Sequence, residues 1–288
     1  MNRLESCMRN KTIYIRIFAM TLSLVLLATT MTACSRPDAA HHTVVLAGST
    51  SVQPYAEILA EEFGIETGLA VDVQGGGSSA GVTAAQTNTA DIGMSSRALK
   101  EEELTGGINW QVTICKDGLA IIVHPDNPVR NLSIEQIRKI YLQEITRWED
   151  VSDGKFTGDI HLISREAGSG TRDAFVEMVM EKQQISNRAI IQDSNGSIRQ
   201  IVSGDTRSIG FISMGLIDDT VVGVSIDGVE PKAANVFNGT YSLYRPFIFC
   251  SSVEPTGNTK EFVDFVMSDT GQAILEKRGL IPIGGATQ

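Results

Sequence analysis

Histidine and cysteine are scarce in this chain, four of each in 288 residues. No CxxC pair and no Cys/His spacing suits zinc, and the acids show no ligand spacing, so no metal or other cofactor is expected. Positive charge is also short: 24 lysines and arginines face 34 acids, for a net charge of −10. Such a chain does not read as a nucleic-acid binder. No lysine follows a glycine-rich loop. The stretch "GSGTRD" at 168–173 lacks the GxxxxGK[ST] lysine, which excludes a P-loop. The N-terminal apolar run, "IFAMTLSLVLLA" at 17–28, is too short for a comfortable membrane span.

That run fits a leader instead. Arg3, Arg9, Lys11 and Arg16 precede it, and "TTMTACS" follows. The small residues Thr32 and Ala33 stand directly before Cys34, as in a bacterial lipoprotein cleavage box, although Met31 replaces the usual leucine. Residues 1–33 are therefore expected to be a lipoprotein signal peptide, with Cys34 lipidated and 34–41 a tether. Acyl chains on Cys34 would hold a soluble body against a membrane face. Those four bases against Glu5 put the leader at +3, so the remainder carries −13. Any anion bound by that body must be held by local donors. Cys115 and Cys250 are the cysteines left in the body.

The body alternates strands and helices. "TVVLAG" predicts a strand, and "STSVQPYAEILAEEFGIETG" a helix with Val52, Tyr55, Ile58, Leu59 and Phe63 at helical spacing. "LAVDVQGGGSSAGVTAAQTNTADIGMSSR" predicts strand, glycine turn, helix and strand. "SIEQIRKIYLQEITRWEDV" predicts a helix capped by Ser133 with Ile137, Ile140 and Tyr141 inward. "IHLISREAGSGTRDAFVEMVM" repeats the strand–turn–helix scheme, and "SNGSIRQIVSGDTRSIGFISMG" adds a short helix and a strand. "VVGVSIDGVEP" predicts a hairpin around Asp227-Gly228, and "YSLYRPFIFCSS" a late strand. A pair of helices is expected near the C-terminus. This is an α/β protein with a mainly parallel sheet in two units. They connect near 112–122 and again near 244–251.

Three of these helix starts carry Gly/Ser/Thr turns: Gly48 to Ser51, Gly75 to Ser79, and Gly168 to Thr171. A helix N-terminus presents unpaired N–H groups and partial positive charge. Glycine admits a ligand close to the backbone, and hydroxyls add donors. Three such ends wrap a small tetrahedral anion, with Arg165 as a forked charged donor. Each serine or threonine also suits a plain N-cap. Three in one chain, one beside an arginine, favour the anion. Gly77 to Gly81 matches the GxSxG nucleophile turn, but His124 and His161 are the only histidines deep in the body, and neither sits as a base should.

The ordered set "AGSTSVQPYAE", "GGGSSAG", "ADIGMSSR", "REAGSGTRDAF", "IGFISMG" and "YSLYRPFIF" resembles the substrate-binding lipoproteins of bacterial phosphate ABC transporters, over essentially the whole body. The resemblance implies a two-lobed periplasmic-binding-protein (type II) clamshell with two hinge strands. Lobe one would span 42–115 and 250–288, and lobe two 116–249. It implies phosphate held by Thr50, Ser51, Ser78, Ser169, Gly170, Thr171 and Arg165. Ser96 falls where many relatives carry an aspartate that accepts the proton of hydrogen phosphate and repels sulfate. Serine accepts a hydrogen bond but brings no repelling charge. Arg97 is either a second cation for the anion or the partner of an acid. Ala167 stands where relatives carry an aspartate two residues after the arginine, with Glu166 adjacent. Cys115 and Cys250 would lie near the two hinge strands, as a disulfide or as separate thiols. The implied protein is a monomeric, extracytoplasmic, lipid-anchored receptor that hands phosphate to a membrane permease and is not an enzyme. A receptor for sulfate, molybdate or tungstate, or an anion sensor, are the alternatives.

Overall fold

The computed structural model describes residues 43–283. The leader, the Cys34 lipidation site and the tether lie outside the described residues.

Most of the strands join one sheet. On one side, β1 (Val44–Gly48) pairs parallel with β2 (Val71–Gly75) and with β3 (Ile92–Ser95). On the other, β6 (His161–Arg165) pairs parallel with β7 (Ile190–Gln192) and β8 (Ser208–Ser213). Two long central strands, β4 (Trp110–Val123) and β11 (Tyr244–Ser251), run antiparallel and join the halves. The order across the sheet is β2-β1-β3-β11-β4-β8-β6-β7.

Each half has its own core. Val44, Leu46, Leu59, Phe63, Ile92, Phe249 and Phe262 belong to one, and Ile137, Tyr141, Phe175, Ile198, Phe211 and Trp148 to the other. Strand β4 enters both, with Ile114 and Cys115 in the first core and Leu119 to Val123 in the second. Phe247 and Phe249 of β11 side with the first core, and Leu243 just before it with the second. The strands thus cross between cores near Lys116–Gly118 and Tyr244–Pro246, where Tyr244 pairs with Gly118 and Arg245 with Asp117. The register slips between Phe247 and Ile248, which puts a bulge in β4 beside the crossing.

The expected helices form. They are α1 (Gln53–Thr67), α2 (Ser78–Gln86), α4 (Ile134–Leu142), α5 (Gly170–Met178), α6 (Asn195–Gly204), α8 (Gly257–Met267) and α9 (Asp269–Lys277); the short α3 (Glu101–Thr105) and α7 (Ala233–Phe237) complete the set among the described residues. Ser133 caps α4 by accepting from the Gln136 N–H, and Ile137, Ile140 and Tyr141 are buried on its inner face. That helix stops at Leu142, where Gln143 turns left-handed, well short of the stretch that the sequence pattern suggested. The Asp227-Gly228 turn forms with both residues at positive φ, but the expected hairpin reduces to one bridge, Ile226 to Val229. The flanking strands find other partners: β9 (Val222–Gly223) pairs with β4, and β10 (Ser225–Ile226) pairs parallel with β5 (Asn131–Leu132). Cys115 and Cys250 are separate buried thiols. Cys115 lies opposite Phe247, and Cys250 opposite Gln111, so the β4–β11 register holds them four residues apart.

Candidate functional site

The three Gly/Ser/Thr turns meet where the two cores face each other. Their hydroxyls are not equivalent. In the first turn, Ser49 is spent on the backbone, its Oγ accepting from the Ser51 and Val52 N–H groups. Thr50 and Ser51 are left to face outward from the helix start. Ser51 Oγ is 2.8 Å from Thr171 Oγ1, across from one core to the other. Thr50 Oγ1 is buried without a partner, in a residue lining an open cavity with Gly75, Gly76, Glu166, Asp193, Ser194 and Ser197.

In the second turn the N-cap is Gly77, which has no side chain to spend. Ser78 is therefore free of capping duty. Its Oγ accepts from the Ser96 N–H at 3.0 Å and lies 3.3 Å from Ser96 Oγ. Its partner is a serine, not the histidine a nucleophile needs.

In the third turn Ser169 is the N-cap of α5 and accepts from the Arg172 N–H at 3.3 Å. Its hydroxyl proton remains for donation. Gly170 and Thr171 open the helix, where backbone N–H groups have no intrahelical partner. The two sides approach so closely here that a Cβ on Gly170 would collide with Ser78 Oγ and sit 2.6 Å from Ser96 Oγ. The Ser79 N–H donates to the Gly168 carbonyl at 3.1 Å, a second direct tie between the sides.

Arg165, at the end of β6, is 1% exposed. Its Nε and Nη2 donate to the two oxygens of Glu166, each at 2.8 Å, and Nη2 also to the Asp193 carbonyl. The carboxylate that holds Arg165 is thus Glu166, the residue next in sequence. Nη1 has no protein acceptor among the described residues, so one face of the guanidinium keeps its donors.

Arg97 is different. Its Nε donates to Asp173, its Nη1 and Nη2 grip Glu103 bidentately, and the remaining donors reach the Ala98 carbonyl and Ser79 Oγ. Of the two readings the sequence left open, the geometry is that of a cation paired with acids. Asp173 sits in α5, on the opposite side of the cleft from Glu103, and Lys100 Nζ is 3.8 Å from it. Arg97 therefore ties the rim. Burial alone would raise the Glu103 pKa, but hydrogen bonding and charge from Arg97 outweigh it and hold the carboxyl below its usual value.

The sequence pattern missed a buried pair on the crossing strands. Arg245 donates through Nε and Nη2 to Asp117 at 3.2 and 3.0 Å, and Asp117 is fully buried. Arg245 Nη2 also reaches Ser51 Oγ at 3.1 Å, and Asn195 Nδ2 reaches the same oxygen at 2.9 Å. Arg245 is the one charge in "YRPFIF", and in "CKDGLA" the buried Asp117 follows the exposed Lys116. A lone charge at an inward strand position was the available signal.

Residues 35–270 match the family described as the PBP superfamily domain. The phosphate-binding protein PstS of Bacillus subtilis is 31% identical over 254 residues, 85% of this chain and 82% of that protein. A crystal structure of a candidate phosphate ABC transporter substrate-binding protein from Clostridium perfringens, with bound phosphate, aligns with a TM-score of 0.78 at 39% identity. It covers 84% of this chain and 100% of its own. An ABC-type phosphate transport receptor from Vibrio cholerae aligns with a TM-score of 0.68 at 34% identity, over 83% and 99% of the two chains.

Proposed function

The chain belongs to the PstS family of phosphate-binding proteins in the PBP superfamily, and from that premise we propose that it captures inorganic phosphate between its lobes and delivers it to an ABC permease. The observation that supports this most is the meeting of hydroxyls and a helix start across the two sides, Ser51 against Thr171 and Ser78 and Ser96 against Gly170. Thr50, Ser51, Ser78 and Ser96 come from one lobe, and Arg165, Ser169, Gly170 and Thr171 from the other. Phosphate docks on one set, and closure about β4 and β11 brings the other, so the closed form is stabilised by contacts absent from the open one. The boundaries near 115 and 250 are proposed as the limits of the moving bodies. Arg97 serves as a tie of the closed rim and not as a ligand.

The reading includes a lipid anchor at Cys34, an extracytoplasmic location and a monomeric receptor. Among the described residues no helix is long and apolar enough to cross a membrane. No catalysis is proposed, and the GxSxG match at Gly77 to Gly81 is read as a donor turn.

Calorimetric titration of the purified protein with phosphate, and again with sulfate as competitor, tests the proposal. One phosphate per chain is expected, bound more tightly than sulfate. No binding of phosphate, or tighter binding of sulfate, would overturn it.

A further inference from the structure

A buried ring of polar groups underlies the cleft. Asp117 accepts from Arg245 on one side, and its other oxygen accepts from Ser213 Oγ at 2.8 Å. The Ser213 N–H donates to Asn195 Oδ1 at 3.1 Å, which fixes the amide so that Nδ2 donates to Ser51. Arg245 Nη2 donates to Ser51 as well and closes the ring.

The directions of these bonds follow from counting. A serine oxygen has two acceptor sites, and at Ser51 both are filled, by Asn195 and Arg245. The Ser51 proton must then go to Thr171 Oγ1, 2.8 Å away. Thr171, having accepted, points its own proton onward. The ring thus makes Thr171 a donor, as an anion requires.

Arg245 itself has donors to spare. Nη1 has one long contact among the described residues, 3.5 Å to Ser96 Oγ. The guanidinium is 2% exposed and close enough to Arg165 for the two cations to repel. Two buried cations close to one another, each with an Nη1 not committed to a short protein bond and one of them set against Ser51 and Ser96, are poised to share an anion.

We propose that Arg245 is a second cationic ligand of the cleft anion, and that Asp117 sets how much of its charge the anion meets. This rests on the phosphate reading above. Each arginine is offset by one carboxylate, Glu166 for Arg165 and Asp117 for Arg245, so a site with two guanidinium groups still has little net charge. Burial pushes the Asp117 carboxyl up, Arg245 and the Ser213 and Met214 donors oppose this, and it titrates at about 6. The other titratable groups bearing on Asp117 are Tyr55, Cys115 and Tyr241. Burial raises all three away from neutrality. Below about pH 6 the Asp117 charge is lost and the anion meets the full Arg245 charge.

Phosphate titrations of the wild type, Asp117→Asn and the double variant Asp117→Asn/Arg245→Gln test this, with thermal melts as a folding control. The double variant keeps a neutral hydrogen-bonding pair, and its phosphate affinity is expected to fall at least tenfold. Wild-type affinity in the folded double variant would overturn the proposal while leaving the phosphate reading intact. Should the double variant not fold, Asp117→Asn decides. It is expected to bind phosphate several-fold more tightly than wild type at pH 7.5 and about equally at pH 5.5. Comparison at each pH cancels the titration of phosphate itself. Equal or weaker binding at pH 7.5 would overturn the proposal. Failure of the wild type to bind phosphate would instead refute the reading on which it rests.

Discussion

Arg165 and Arg97 are both buried, both hydrogen-bonded to carboxylates, and both within reach of the cleft between the lobes. They differ in what remains unspent. Arg97 uses all three nitrogens on protein acceptors and joins Glu103 of one side to Asp173 of the other. Arg165 uses Nε and Nη2 and leaves Nη1 without a protein acceptor among the described residues. A guanidinium carries five N–H donors, and the location of the surplus separates a ligand from a strut. The carboxylates differ accordingly. Glu166 follows Arg165 in sequence and holds it in place, whereas Asp173 belongs to the other jaw and pulls the jaws together.

The largest expected effect follows from removing the surplus donors. Arg165→Ala is predicted to weaken phosphate binding by about 3 kcal/mol, on the order of 100-fold, because a buried anion loses its charged partner. Next comes the close approach at the cleft floor. Gly170→Ala places a methyl against Ser78 and Ser96, and overpacking of this kind costs about 2 kcal/mol, roughly 30-fold in affinity. Its melting temperature without phosphate should change little if the open form relieves the clash. An equal loss in the unliganded protein would place the strain elsewhere.

Arg97→Ala should matter less. Of its bonds only the one to Asp173, a carboxylate a quarter exposed, crosses between the jaws; a partly exposed ion pair contributes about 1 kcal/mol, so its phosphate affinity should fall only about fivefold, and the loss should shrink in high salt. The smallest effect is a pH dependence. Glu103 titrates below its ordinary 4.5 in the folded protein. Its contribution to stability is therefore complete above that value and disappears as pH falls through the lower folded pKa. Thermal melts of wild type and Glu103→Gln should differ at pH 7 and converge as pH falls through the lowered folded pKa of Glu103. A difference that persists below it would assign Glu103 a role other than ion pairing.

Much of this arrangement was legible from residues close together in sequence. The strand–turn–helix units, the Ser133 cap and the Gly/Ser/Thr turns depend on local patterns, and they form where the patterns lie. Ser49 and Ser169 show the limit of that reasoning. Their residue type suits both a cap and a ligand, and only the backbone geometry shows that Ser49 accepts from N–H groups of its own turn and Ser169 from the Arg172 N–H of the helix. The Asp227-Gly228 hairpin was misread for a related reason. Turn chemistry specifies the turn, while the pairing of Ser225 and Ile226 is decided by β5, nearly a hundred residues upstream. Beyond the inward charges of Asp117 and Arg245, the ring that joins them through Asn195 and Ser213 was not legible. Its members come from four separate elements, and their hydrogen bonds span as many as 194 residues.

The most direct measurement is phosphate titration of Arg165→Ala beside Arg97→Ala, at one pH and salt concentration. Arg165→Ala should lose at least tenfold more affinity than Arg97→Ala, because of these two arginines Arg165 alone keeps donors free of protein acceptors. Equal losses, or a greater loss in Arg97→Ala, would contradict it.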